Sequence, residues 1–181
     1  MAKFLLISGS PRQGNTEFIL KKIFKALPEE KELILLRKLN INRCKGCLGC
    51  DKSKKCVQQD DMQAIYSKMQ SADFLIIGSP NYFDNVSGLL KDFIDRTVPL
   101  FYEGEANALK GKKAFFVVVG GGEVENSQPV VEILQDFAQI HGIKTIGSHC
   151  FKAQNANDAA KDPETLEEIK KIIKEMTSSS P

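Results

Sequence analysis

The chain lacks a surplus of charge of either sign. Across 181 residues, 25 Lys and Arg stand against 23 Asp and Glu, a formal net charge of +2. A balance that close to zero gives no electrostatic reason to expect nucleic acid or an anionic membrane as a partner. Long hydrophobic runs are also missing, and none approaches the ~20 residues that span a bilayer. The apolar stretch at the start, Met1 to Ile7, is too short for a signal peptide and soon meets Gly9-Ser-Pro-Arg12. These absences predict a cytoplasmic protein that uses neither a membrane nor nucleic acid. Histidine is scarce, with only His141 and His149, and no Ser/His/Asp or Cys/His triad is legible. His141 precedes Gly142 at a helix end and is expected to cap it. His149 adjoins Cys150 near a strand end, where little supports a site role. Repeats and long linkers are absent as well, so a single domain over residues 1–181 is expected.

With 42% hydrophobic residues, the chain can build a real core. Apolar runs alternate with helical patterns throughout. Strands are predicted at 3–8, 32–37, 74–78, 113–119 and 144–150. Between them, apolar residues recur at i, i+3, i+4, i+7, as in Leu20, Ile23, Phe24 and Leu27. The pattern predicts a helix with Met62, Ile65, Tyr66 and Met69 inward and Asp60 as its N-cap. A last helix, about 162–176, is opened by Asp162-Pro163. Five strands alternating with helices imply a parallel sheet covered on both faces. At this size the expected architecture is an α/β three-layer sandwich with flavodoxin-like strand order 2-1-3-4-5. Ligands of such sheets bind at the carboxyl ends of the strands, at the switch point.

The loop after the first strand reads Gly9-Ser-Pro-Arg-Gln-Gly14-Asn15-Thr16. Glycines let backbone N–H groups turn inward, and the following helix N-terminus favours an anion. Ser10, Asn15 and Thr16 add neutral donors, and Arg12 adds a charged fork. Asn15 stands where a P-loop needs lysine, and the G-x-G-x-x-G spacing of dinucleotide sites is absent. A single phosphate monoester remains, and in this fold that suits FMN. After the third strand, Pro80, Asn81, Tyr82 and Phe83 offer two aromatics to flank a flat heterocycle. After the fourth, Gly120, Gly121 and Gly122 permit close backbone approach.

Five cysteines are present, and four lie close together with spacing C-x2-C-x2-C-x5-C: Cys44, Cys47, Cys50 and Cys56. An odd count without a secretion signal argues against a disulfide framework. Within this cysteine-rich loop, 43–57, three states compete: a [4Fe–4S] cluster, structural zinc, or free thiols. Gly46 and Gly49 allow a tight backbone, and Arg43, Lys45, Lys52, Lys54 and Lys55 would offset thiolate charge. Cys150 is expected to be a small buried apolar residue.

Together, Gly9-Ser-Pro-Arg-x-Gly-Asn-Thr, the Cys44–Cys56 loop, Asp60-Asp61-Met62, and Gly78-Ser-Pro-x-Tyr-Phe with Val86-Ser-Gly88 resemble the NADPH-dependent FMN reductase family. More narrowly, they resemble its iron–sulfur flavoprotein branch, over about residues 3–150. The resemblance implies non-covalent FMN, with Ser10, Arg12, Gly14, Asn15 and Thr16 at the phosphate. It places Pro80 to Phe83 and Gly120 to Gly122 around the isoalloxazine. It also implies a homodimer or homotetramer, with NAD(P)H as donor and a small molecule or protein as electron acceptor. The expected function is an FMN-dependent oxidoreductase of the NAD(P)H-dependent FMN or quinone reductase type. The alternatives are a non-catalytic electron carrier between protein partners, a flavin-only reductase with free thiols, or a phosphate-ligand binding module with a structural metal.

Overall fold

The structure, a computed structural model, describes residues 2–28, 30–102 and 107–178. Five strands, β1 (Phe4–Ser8), β2 (Lys31–Leu35), β3 (Phe74–Pro80), β4 (Lys113–Gly120) and β5 (Lys144–Lys152), form one sheet. Their order is β2-β1-β3-β4-β5 and every pairing is parallel. This is the flavodoxin-like order that the alternation of strands and helices predicts. Among the described residues, eight α-helices surround it: α1 (Asn15–Ala26), α2 (Gly49–Ser53), α3 (Met62–Ser71), α4 (Gly88–Asp95), α5 (Val98–Tyr102), α6 (Gln128–Ile140), α7 (Asp158–Lys161) and α8 (Pro163–Ser178).

The period-2 geometry of the strands divides the core into two layers. Phe4, Leu6, Phe74, Ile76, Phe115 and Val117 pack with Ile19, Leu20 and Ile23 of α1 and Ile169, Ile172 and Met176 of α8. Leu5, Ile7, Leu75, Ile77, Phe116 and Val118 pack on the other face with α3, α4 and α6. Each such side chain contributes ~1.5–3 kcal/mol by leaving water. The central strands β1, β3 and β4 are covered on both faces and read as near-unbroken apolar runs, whereas the edge strands β2 and β5 are half-buried and more polar.

Several boundaries depart from the sequence expectation. β2 stops at Leu35, and a 3-10 turn over Leu36–Lys38 follows. Leu36 is buried there, while Arg37 turns back to Glu17 on α1 through Nε–Oε2 at 2.8 Å and Nη2–Oε1 at 3.2 Å. β3 and β5 each run two residues further than expected. α3 begins with Asp61, not Asp60, at its N-cap position. The Asp60 carboxylate does accept from the Met62 N–H at 3.1 Å, but it is chiefly engaged by Arg96. At α8, Asp162 caps as expected and accepts from the Glu164 and Thr165 N–H groups at 3.2 and 3.0 Å.

α6 ends in a Schellman motif. Gly142 has φ +64, its N–H reaches the Gln139 carbonyl at 3.0 Å, and the Ile143 N–H reaches that of Ala138 at 2.8 Å. His141 therefore occupies the cap position. Its buried ring packs on Phe137, and Nε2 lies 2.9 Å from the Thr97 hydroxyl. No helix among the described residues is long and apolar enough to cross a membrane.

Candidate functional site

In the sheet order, β1 sits between β2 and β3, so the connections from it diverge and leave a crevice at the strand ends. A cavity of about 80 Å³ lies there. The β1–α1 loop contributes Ser10, Arg12, Gly14, Asn15 and Thr16 to its wall. The loop after β3 contributes Pro80, Asn81 and Tyr82, and Gly121 comes from beyond β4. Three further wall residues, Val119, Ala153 and Gln154, carry no chemical signal in the sequence and are brought in by the ends of β4 and β5.

Close backbone approach builds the loop. The Gly9 N–H extends the sheet to the Gly78 carbonyl at 2.8 Å, and the Ser87 hydroxyl donates to the Gly9 carbonyl at 2.5 Å. A Cβ on Gly9 would stand 2.7 Å from Cβ of Leu90, so the residue must be glycine for α4 to sit this close. Ser87 also caps α4, accepting from the Leu90 N–H at 3.1 Å.

Two side-chain donors expected at the phosphate are turned toward the chain itself. The Ser10 hydroxyl donates to the Arg12 carbonyl at 2.7 Å. Asn15 Nδ2 donates to the Asn155 carbonyl at 2.8 Å, and its Oδ1 accepts from the Ala159 N–H at 3.3 Å. The anion-binding capacity that remains lies in the N–H groups opening α1 and in the exposed Arg12. Glu17, in that same first turn, would repel a phosphate, but it is buried and directed away into Arg37 and Lys21. The Arg37 hydrogen bonds hold its carboxyl below the ordinary range, against the opposing effect of burial. A cavity of this size and donor set fits the phosphate end of a ligand, with Tyr82 at its edge for a larger body.

Three expected residues lie outside this cavity. Phe83 is fully exposed at the tip of a two-residue turn in which Phe83 and Asp84 have φ +52 and +56. Tyr82 and Asn85 close the turn with reciprocal backbone bonds of 3.0 and 3.2 Å, the type I′ geometry. Gly120 ends β4 against Ser127, whose Oγ would lie 2.7 Å from an added Cβ. Gly122 follows on the surface.

A second cavity, about 230 Å³, gathers Cys44, Cys47, Cys50 and Cys56. Leu48, Val57, Val98 and Pro99 complete an apolar wall, and Arg96 also lines it. The loop is shaped by left-handed turns at Gly46, Leu48 and Lys54. Gln58 and Gln63 fasten it from one side, donating to the Arg43 carbonyl at 3.0 Å and the Cys56 carbonyl at 3.2 Å. Burial, together with the neighbouring thiols, pushes the Cys50 thiol up. Among the described residues no three His, Cys, Asp or Glu side chains are grouped tightly enough to hold a single metal ion. Cys150 lies outside this cavity, half-buried against the core on β5, where burial raises its thiol pKa.

Sequence reasoning missed Arg96, the largest fully buried side chain among the described residues. Its Nη1 donates to the Asn42 carbonyl and to Asp60 Oδ2, both at 2.6 Å, and Nη2 donates to Asp60 Oδ1 at 3.0 Å. Asp60 also accepts from the Asn42 N–H at 2.9 Å. The pair thus clasps the two ends of the cysteine loop. In the sequence it is one charge among several, beside Lys91, Asp92 and Asp95, and nothing sets it apart.

A parallel sheet in 2-1-3-4-5 order with a small cavity at its switch point defines a class by fold, the flavodoxin-like α/β proteins. The model of one family, NADPH-dependent FMN reductase, matches residues 2–158, and the chain belongs to that family. An iron-sulfur flavoprotein of Methanocaldococcus jannaschii is 35% identical over 81% of this chain and 77% of its own. One from Archaeoglobus fulgidus is 46% identical over 52% of this chain, which spans only about half of that relative, 48%. The Trp repressor binding protein of Bacillus subtilis superposes with TM-score 0.73 at 22% identity, covering 93% of this chain and 99% of that one, and shows the shared fold.

Proposed function

We propose that this chain is an NAD(P)H-dependent FMN oxidoreductase whose four loop cysteines hold an iron–sulfur cluster. The observation that carries this reading is the convergence of Cys44, Cys47, Cys50 and Cys56 on one cavity, in a chain that also has a strand-end phosphate cavity. Bound FMN would supply hydride acceptance and release of electrons one at a time, and a cluster would carry single electrons.

The protein's own part is binding, orientation and exclusion of water. The α1 N-terminus and Arg12 hold the phosphate, while Glu17 stays neutralised behind them. Asn81 fixes the loop after β3: its Nδ2 donates to the Asn126 carbonyl at 2.9 Å and its Oδ1 accepts from the Asp84 N–H at 2.9 Å. That holds Tyr82 at the cavity edge. The four thiolates would ligate iron, with the apolar wall of Leu48, Val57, Val98 and Pro99 limiting water. The same reading takes the protein as a cytoplasmic homodimer or homotetramer that passes electrons from the nicotinamide to a small molecule or protein.

The test is an absorption spectrum with flavin, iron and labile-sulfide analysis on anaerobically purified protein, followed by NADPH and NADH oxidation with an artificial acceptor. Bound FMN, iron and sulfide in equal amounts, and turnover with a nicotinamide are expected. Flavin without iron or sulfide removes the cluster. A bound flavin without nicotinamide turnover would make the chain an electron carrier instead.

A further inference from the structure

Arg96 is 1% exposed, lines the cysteine cavity, and is permanently charged. Both of its terminal nitrogens are engaged, by Asp60 and the Asn42 carbonyl. Its Nε–H is different: among the described residues this buried donor has no acceptor. Native proteins rarely leave such a group unpaired, and an orphan beside a binding cavity points to a missing partner. The chemistry of the cavity narrows that partner. Besides Arg96, its wall is apolar side chains and sulfur with Lys45, Gln58 and Asp95, and its cysteines become anionic when they ligate metal.

Granting the cluster reading above, we propose that Arg96 Nε–H is the hydrogen-bond donor to a sulfur of the centre held by the four cysteines. Arg96 is then a tuning residue of that centre as well as the clasp of its loop. Hydrogen bonds to sulfur favour the more negative, reduced state and raise the reduction potential of an iron–sulfur centre. The Asp60 pairing serves this role by fixing the guanidinium plane through two parallel bonds, which leaves Nε aimed by geometry rather than free to rotate. Lysine in this position would keep the charge but lose the planar fork.

The experiment compares wild-type and Arg96→Lys protein, both purified anaerobically, for iron and sulfide content and for the midpoint potential of the centre. We expect full iron and sulfide in both. The variant should be about tenfold harder to reduce, a fall of ~59 mV for one electron. Full cluster content with an unchanged potential would overturn the role of Arg96 while leaving the cluster itself established. Wild-type protein without iron or sulfide would instead overturn the cluster reading. If the variant does not retain its centre, a second measurement decides. Protein labelled with 15N-arginine in an Arg43→Lys background, which removes the arginine next to Cys44, is reduced and studied by pulsed EPR. A 15N coupling to the reduced centre supports the hydrogen bond, and its absence rejects it.

Discussion

At the scale of single residues, the Arg96–Asp60 pair carries the sharpest consequences. Both side chains are about 1% exposed, so neither charge is relieved by water. Removing one partner of such a pair leaves the other uncompensated, at a cost of ~3–5 kcal/mol. Asp60→Asn is therefore expected to lower the unfolding free energy at pH 7 by about that amount, measured by urea denaturation. The pH dependence follows from the same contacts. Burial opposes the Asp60 charge, but Arg96 and the Asn42 and Met62 N–H groups outweigh it and hold the carboxyl below its ordinary value. A carboxyl with a lowered folded value adds stability that is fully present above its unfolded value. That stability is lost as pH falls through the folded one. The gap between wild type and Asp60→Asn should thus narrow as pH drops below about 4. A gap that stays constant from pH 7 to pH 3 would show that the pairing is not what stabilises the native state. Glu17, also held low by its cations, adds to the acid sensitivity of both proteins.

At the scale of elements, the β1–α1 loop depends on a segment far away in sequence. Asn15, the first residue of α1, reaches across to the Ala153 and Asn155 carbonyls and the Ala159 N–H. Asn15→Ala would leave the buried Ala159 N–H without its partner, a loss of ~1–3 kcal/mol. Hydrogen exchange should accelerate over residues 153–161, and FMN affinity should fall because Ala153 and Gln154 form one wall of the cavity. Protection of 153–161 equal to wild type would contradict this coupling. The example also shows what a sequence reveals and what it does not. The strands and the helices α1, α3, α4, α6 and α8 were legible because a period of 3.6, or an unbroken buried run, leaves a trace in composition. The helices α2, α5 and α7 have four or five residues each, too few for a period. The glycine spacing picked out the β1–α1 loop that walls the strand-end cavity. The destinations of Ser10 and Asn15 were not legible, because bonds to local or distant carbonyls depend on tertiary placement. Phe83 read as a wall aromatic, and only the positive φ at Phe83 and Asp84 carries it out to a turn tip.

At the scale of the whole molecule, the two cavities share no lining residue, yet one helix joins them. Ser87, the N-cap of α4, holds the Gly9 carbonyl of the β1–α1 loop, and Arg96, its C-cap, forms part of the cysteine cavity. The helix between them has eight residues, about 12 Å. A packed helix of that length keeps the two sites at a fixed separation without requiring that either be filled for the other to form. Cys47→Ser is accordingly expected to lose iron and sulfide while its FMN dissociation constant stays within about twofold, well under the ~1.4 kcal/mol of a tenfold change. The reciprocal variant is Gly9→Ala, whose new Cβ would press on Leu90 of α4. Overpacking there costs ~1–3 kcal/mol and should weaken FMN binding about tenfold or more, with iron and sulfide retained. Flavin titration and iron analysis of the two variants separate the cases. If Cys47→Ser loses its flavin as well, the cysteine loop shapes the flavin site through α4, and the two cavities form one cooperative unit instead of two independent ones on a common helix.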